Sequence, residues 1–193
     1  SIDSLEDAID EESDYDPEFT AITGWHRAPI YNRIRAEGIQ SFLDEEGLDP
    51  NDPDTTFVFS AHGTPRKYLD EGSRYDQYVE EHAAAVSGML GIEEYEIGYQ
   101  NHANRGIEWT EPETEDTVVG LGDAAERVIV EPMSFMHEQS ETLVELDVDL
   151  AEDASEVGLD LYRVPVPHDD PRFPDLLADV AEPFLSGFAP SYY

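Results

Sequence analysis

The segment Thr55-Thr56-Phe57-Val58-Phe59-Ser60-Ala61 decides the fold, and His62-Gly63-Thr64-Pro65 follows it directly. The segment is short, rich in β-branched and aromatic residues and nearly free of polar alternation, which is typical of a strand buried on both faces of a parallel sheet. The residues after it favour a turn. The pattern therefore predicts a central strand of an α/β fold, with His62 at its carboxyl end.

On either side of this strand, the chain alternates predicted helices with predicted strands. Helices are predicted at residues 29–46, 75–90, 114–125, 140–153 and 174–185, and further strands at residues 95–100, 127–132 and 159–164. This alternation predicts an α/β fold with a parallel sheet of about four strands and helices on both faces. Ligands of such sheets bind at the carboxyl ends of strands, so His62 and the residues after the third strand are where a site is expected.

The charge balance of the chain is strongly acidic. Its 46 Asp and Glu residues against 10 Lys and Arg residues give a formal net charge of -36. Such a surface repels nucleic acid and anionic membranes. Because 39% of the residues are hydrophobic, the chain is expected to fold rather than remain disordered. The acidity is instead interpreted as adaptation to concentrated salt, which predicts a halophilic, haloarchaeal source.

The chain contains no cysteine, which excludes disulfides, thiolate metal sites and iron–sulfur clusters. No apolar stretch approaches the roughly 18 residues of a membrane span, and no secretory signal is recognisable, so a cytoplasmic protein is expected. A length of 193 residues predicts one main domain. We assign residues 25–193 to this domain and residues 1–24 to an acidic helix and linker that precede it.

Three carboxylates recur every four residues, at Glu141, Glu145 and Asp149. On an α-helix this spacing places them along one side, with Leu143 and Leu146 among the residues expected in the core. In so acidic a chain the row is compatible with a solvated face. Its position near a strand end also suits a divalent cation, which prefers hard oxygen ligands.

Three further residues near these candidates are interpreted from their positions. His137 and Glu138 precede the carboxylate row and are expected to support it from outside. His82 falls on the polar side of its predicted helix and is expected to face solvent.

Several ordered motifs resemble those of the ferrochelatase family. Residues 57–65, Phe-Val-Phe-Ser-Ala-His-Gly-Thr-Pro, resemble its F-S-A-H-x-x-P signature, and residues 141–147, Glu-Thr-Leu-Val-Glu-Leu-Asp, resemble its E-T-L-x-E-L-D signature. Agreement in order and spacing extends to Trp25-His26-Arg27-Ala28-Pro29-Ile30-Tyr31, to Tyr99-Gln100 followed by Trp109, Pro112 and Thr114, and to Asp169-Asp170-Pro171-Arg172-Phe173. The resemblance covers about half of a typical family member, its C-terminal half.

This resemblance implies two similar α/β halves that clasp a porphyrin, of which the N-terminal half, or a second chain in its place, would be a partner. It implies that Fe²⁺ and a porphyrin, coproporphyrin or protoporphyrin, are substrates and that no cofactor is permanently bound. His62 and Glu141 would take the pyrrole protons or hold the iron. Glu145 and Asp149 would line the metal's path, and the porphyrin would contact Tyr99, Trp109 and His168.

The chain also departs from the family pattern. Glu138-Gln139 stands where the family usually has Asp-His, and the segment from Gln100 to Arg105 is one residue longer than the family's Q-S-R turn. Two alternatives therefore stay open. One is a chelatase for another tetrapyrrole, such as a cobaltochelatase acting on sirohydrochlorin as a dimer, and the other is a porphyrin- or metal-binding module without catalysis.

Overall fold

The computed structural model describes residues 5, 7–9, 11, 21–101 and 106–185. The acidic helix expected near the start of the chain lies largely outside these residues, although residues 5, 7–9 and 11 are helical. Within the described part of the chain, no helix is both long and apolar enough to cross a membrane.

Helices and strands alternate from residue 25 to residue 185. A 3₁₀ turn (Trp25–Arg27) leads into α1 (Pro29–Glu46), β1 (Thr55–His62), α2 (Arg66–Asp70), α3 (Tyr75–Leu90), β2 (Glu96–Gln100), α4 (Thr114–Val119) and β3 (Arg127–Pro132). A π-helix (Glu141–Asp149) then continues directly into α5 (Leu150–Glu156), followed by β4 (Asp160–Arg163) and α6 (Phe173–Leu185).

The four strands form one parallel sheet in the order β2-β1-β3-β4. Helices cover both faces. On one face, α1 and α3 bury Phe57, Phe59 and Ile129. On the other, Val118 of α4 and Leu146 of the π-helix pack against the strand valines. The predicted fold class is thus confirmed, and successive β1 side chains alternate between the two cores as the pleat requires.

The helix that carries the carboxylate row differs from the prediction. Residues 141–149 form a π-helix rather than the expected α-helix. A π-helix bonds each N–H to the carbonyl five residues earlier. This geometry is rare, occurs mostly as single turns within α-helices, and is frequent at functional sites. Leu146 is buried as expected, but Leu143 is 48% exposed, so its predicted place in the core is wrong.

Two other expectations are also wrong. The helix predicted to reach residue 125 ends at Val119, where Gly120 and Gly122 follow. A Cβ at Gly122 would lie 2.8 Å from the Val157 side chain, so the chain needs a glycine to pass there. His82, expected on a solvated face, is buried because α3 packs closely on α1 at that point.

Gly98 in β2 offers a test of how tightly α4 packs on the sheet. A Cβ at this position would lie 2.7 Å from Thr114 Cα, and backbone cannot move aside as a flexible side chain can. We expect Gly98→Ala to lower the free energy of unfolding by about 1–3 kcal/mol, measured by urea denaturation at constant salt. Gly88→Ala is the matched control, because no atom lies within 4 Å of the added methyl group and alanine favours a helix. Equal stabilities of the two variants would contradict the prediction.

Candidate active site

The carboxyl ends of β1 and β2 bring His62 and Gln100 side by side. The two residues are partners in the parallel register, so both side chains leave the sheet on the face covered by α4 and the π-helix. Gln100 Nε2 donates to Ser60 Oγ at 2.9 Å, and Ser60 Oγ lies 2.9 Å from Thr114 Oγ1. These buried hydrogen bonds fix Gln100 beside the histidine.

His62 is held by its backbone and by one ring nitrogen. Its N–H donates to Ser134 Oγ and its carbonyl accepts from the Tyr75 hydroxyl, both at 2.7 Å. Its Nδ1 lies 2.7 Å from the carbonyl oxygen of Gly63. A carbonyl can only accept, so Nδ1 carries the hydrogen, and Nε2 is the ring nitrogen that can act as an acceptor. The imidazole is thereby arranged as a proton acceptor or metal ligand at Nε2.

Gly63 is required by the neighbouring strand rather than by a ligand. Its N–H donates to the Gln100 carbonyl at 2.7 Å, and a Cβ would lie 2.9 Å from the same oxygen and still closer to the Asn101 side chain. The residue therefore closes the gap between the loops that follow β1 and β2.

Arg35 of α1 holds the loop that follows β3. This guanidinium is almost fully buried and donates to the carbonyls of Pro132 and Phe135 at 2.9 and 3.1 Å. It also lies 3.2 Å from Glu131, which is equally buried. Burial raises the pKa of Glu131 to about 7, although the positive charge of Arg35 opposes the rise.

The raised pKa of Glu131 predicts a pH-dependent stability. Between the carboxyl group's ordinary pKa and about 7, the folded protein binds this proton more tightly than the unfolded chain does. Its contribution to stability is therefore complete only below the ordinary pKa of 4.5, decreases as the pH rises from there, and is lost once the pH passes about 7. Glu131→Gln cannot titrate, so we expect the unfolding free energy of the wild type to fall relative to that variant between about pH 5 and pH 8. Denaturation curves at each pH measure the difference, and a constant difference would contradict the prediction.

Glu138 and Arg163 fasten the other end of the same loop. Glu138 accepts from Arg163 at 2.7 Å, from the Val166 N–H at 2.9 Å and from the Thr142 hydroxyl at 2.6 Å. Burial opposes the charged form, but these hydrogen bonds outweigh it and lower the pKa of Glu138. Arg163 also binds both carboxylate oxygens of Asp147 at 2.6 Å. This double clamp sets the start of the π-helix and with it the position of Glu141, whose Oε2 accepts from Ser140 at 2.9 Å.

An acidic cleft of about 170 Å³ opens between α4 and the π-helix. One wall carries Glu145, Asp149 and Asp153, and the other carries Glu113 and Glu115. Burial raises the pKa of Glu115, and the negative charges of Asp153 on the opposite wall and of Asp116 and Glu113 on its own side add to the rise. Gln100 also lines the cleft, so the cleft reaches the end of β2 next to His62.

Only two of the four predicted metal ligands line the acidic cleft. Glu145 and Asp149 line the acidic cleft, whereas His62 and Glu141 are not part of its lining. Over the described ranges, no group of three or more His, Cys, Asp or Glu side chains is arranged to hold a metal ion.

The residues predicted to contact a porphyrin or to support the carboxylates lie in different environments. Trp109 bridges to Pro65 in the loop that follows His62. Tyr99 is 4% exposed and belongs to the core under α3, where burial raises its pKa to about 12. His168 and His137 are exposed, and in each the Nδ1 atom lies 3.0–3.1 Å from a nearby backbone carbonyl.

Sequence reasoning missed several residues that shape the site. Gln100 could have been found, because it ends the strand next to His62. Phe135, whose ring centre lies 6.3 Å from that of His62, and the positioning residues Tyr75 and Ser134 carried no comparable signal, because only the folded loops bring them to the histidine.

Comparisons with known proteins show the family and the fold. The family model described as Ferrochelatase matches residues 1–184. The ferrochelatase of Nostoc punctiforme is 35% identical over 167 residues, which are 84% of this chain but 42% of that protein. That of Herpetosiphon aurantiacus is 30% identical over 90% of this chain and 57% of that protein. The chain thus spans about half the length of the relatives it matches. The solved structure of CbiX, described as the terminal enzyme of siroheme biosynthesis in denitrifying bacteria, shares the fold at a TM-score of 0.50 and 19% identity over 81% of this chain and 58% of CbiX.

Proposed function

We propose, because this chain belongs to the ferrochelatase family, that it forms the catalytic half of an enzyme that inserts Fe²⁺ into coproporphyrin or protoporphyrin. The proposal rests on two features that meet at the carboxyl end of the parallel strands. A histidine with its acceptor nitrogen set by Gly63 stands next to Gln100, and Gln100 lines a cleft walled by carboxylates.

Metal insertion requires that two pyrrole N–H protons leave the macrocycle. A neutral imidazole and an ionised carboxylate are suitable bases for this step near neutral pH. We assign the first role to His62 through Nε2 and the complementary role to Glu141. Glu141 begins the π-helix, and the Glu138–Arg163 clamp holds the loop that leads into it. Fixing both bases in advance lowers the entropy that the reaction must lose.

The acidic cleft suits the delivery of iron and the departure of protons. Its carboxylates concentrate divalent cations, and oxygen ligands exchange a hydrated cation without holding it permanently. The electrostatic interaction of Glu115 with Asp153 favours a cation between the walls, because a positive charge there relieves the repulsion.

The proposal is tested by adding Fe²⁺ under anaerobic conditions to each porphyrin and following its Soret band. The chain is assayed alone and with the complementary half of a related ferrochelatase. We expect both preparations to bind porphyrin. We also expect the combination of the two halves to insert iron faster than the uncatalysed reaction of Fe²⁺ with the porphyrin in buffer. Binding without insertion in both preparations would instead favour a module that has no catalytic activity.

A second candidate is metal insertion into sirohydrochlorin by a dimer of this chain. The fold shared with CbiX is the observation that favours it. Light scattering and a parallel assay with sirohydrochlorin and Co²⁺ distinguish the two. A stable dimer that uses sirohydrochlorin and neither porphyrin would replace the first proposal with the second.

A further inference from the structure

A second cavity lies across the sheet from the acidic cleft, between the start of α1 and α3. Its volume is about 210 Å³, and we call it the aromatic alcove. The residues that define it are Trp25, Tyr31, Tyr75, Tyr78, His82 and Met133. The metal and proton chemistry assigned above uses none of their side chains to contact a substrate.

The walls of the aromatic alcove are built by stacked rings. The centroid of Tyr31 lies 4.8 Å from that of Trp25 and 4.9 Å from that of His82. Tyr78 stacks with His26 at 4.6 Å. Planar side chains fixed by such contacts present a rigid apolar surface, to which a flat ligand binds with little loss of side-chain freedom.

One polar atom in the alcove has no partner. His82 is 5% exposed, and its Nε2 makes no hydrogen bond in the structure. The hydroxyl of Tyr31 donates to the Met133 carbonyl, and that of Tyr75 donates to the His62 carbonyl. Leaving a buried nitrogen unsatisfied costs free energy, and a ligand that displaces the surrounding wall enough to reach Nε2 recovers it by supplying the missing hydrogen bond.

None of the described residues that line the alcove is a lysine or an arginine, and the Arg74 guanidinium, 5.7 Å from the centre of the Tyr78 ring, belongs to an exposed residue outside that lining. Burial, with the nearby charge of Arg35, lowers the pKa of His82 to about 3, so its ring is neutral. The guanidinium of Arg35 lies 3.2 Å from Glu131, and that of Arg27 lies 2.7 Å from Glu81. An anionic ligand would lose its hydration without meeting a cation in the lining of the alcove.

We propose that the aromatic alcove binds an uncharged planar ring, which stacks on its tyrosines and shares a hydrogen bond with His82 Nε2. Two sources offer this chemistry. One is the rim of a tetrapyrrole held near His62, since Tyr75 and Ser134 connect the alcove to the backbone of that residue. The other is a separate small heteroaromatic molecule.

The probe that tests the site is 5-fluoroindole, an uncharged ring with one N–H, titrated into the whole chain and observed by fluorine NMR. We expect saturable binding by the wild type. His82→Phe keeps a ring in place but removes the nitrogen, and loss of one hydrogen bond should weaken binding roughly tenfold. Tyr78→Ala removes a half-exposed wall and should weaken it as well. Tyr68→Phe, on an exposed tyrosine outside the alcove, should bind as the wild type does.

Charge and source are tested with two further ligands. 5-Fluoroindole-3-carboxylate should bind at least about tenfold more weakly than the uncharged probe, because its carboxylate would lose hydration against a lining that contains no lysine or arginine. Displacement of the probe by porphyrin would assign the alcove to a tetrapyrrole, and simultaneous binding of both would assign it to a separate ring. Unsaturable binding by the wild type, or equal affinity of the wild type and Tyr78→Ala, would overturn the proposal. Neither result depends on metal insertion or on whether His82→Phe folds.

Discussion

His62→Ala and Glu141→Ala are each expected to slow porphyrin metal insertion by roughly 10²–10⁴-fold in the protein that carries both halves. Each substitution removes one of the two bases that would take the pyrrole protons. Neither side chain is part of the hydrophobic core, so the porphyrin should still bind. Initial rates are measured anaerobically from the Soret band, and porphyrin affinity is measured separately without metal.

Glu126→Ala is the matched control for the carboxylate. Glu126 is exposed and lies just before β3, at the amino end of the parallel strands, whereas His62 lies at their carboxyl end. Its removal changes the net charge as Glu141→Ala does, so it should leave the insertion rate within about twofold of the wild type. If both site variants kept the wild-type rate, the assignment of His62 and Glu141 as the bases would be wrong.

The position of the candidate site follows from sequence, because it depends on strand ends. The buried run before His62 and the buried strand before Met133 identify two carboxyl ends of a parallel sheet, where ligands bind. The sequence also indicates where α1 and α3 end, because each helix end depends on a glycine next to it. Gly47 and Gly91 both adopt φ 69°, which a glycine allows without a steric penalty.

What the sequence could not supply depends on contacts between distant residues. The repeat of Glu141, Glu145 and Asp149 is compatible with an α-helix, and nothing in it indicates a π-helix. His82 lies between acidic residues and a run of alanines, and only the packing of α3 on α1 buries it. Arg35 reads as an ordinary charged residue of an amphipathic helix, yet it holds a loop that begins 97 residues later in the chain.

Molar KCl is expected to raise the thermal unfolding midpoint by roughly 10 °C or more relative to 0.1 M KCl, which for a chain of this size corresponds to about 3–5 kcal/mol. The net charge is -36, and several of the few cations, among them Arg35, Arg163 and Arg172, already pair with carboxylates. Most of the remaining repulsion acts between exposed groups. Salt shortens its range from about 10 Å at 0.1 M to about 3 Å at 1 M.

The acidic cleft should account for a disproportionate share of this response, because carboxylates line both of its walls and Asp153 contributes to the raised pKa of Glu115. The triple variant Glu115→Gln, Asp149→Asn, Asp153→Asn removes three charges from the cleft. The control Glu46→Gln, Glu96→Gln, Glu126→Gln removes three exposed charges from separate elements. Calorimetric midpoints across a KCl series should rise least for the cleft variant, whose low-salt stability is already improved, and more for the control. A midpoint that stays flat in the wild type would contradict the interpretation of the acidity as salt adaptation, whereas equal slopes for the two variants would contradict the role of the cleft.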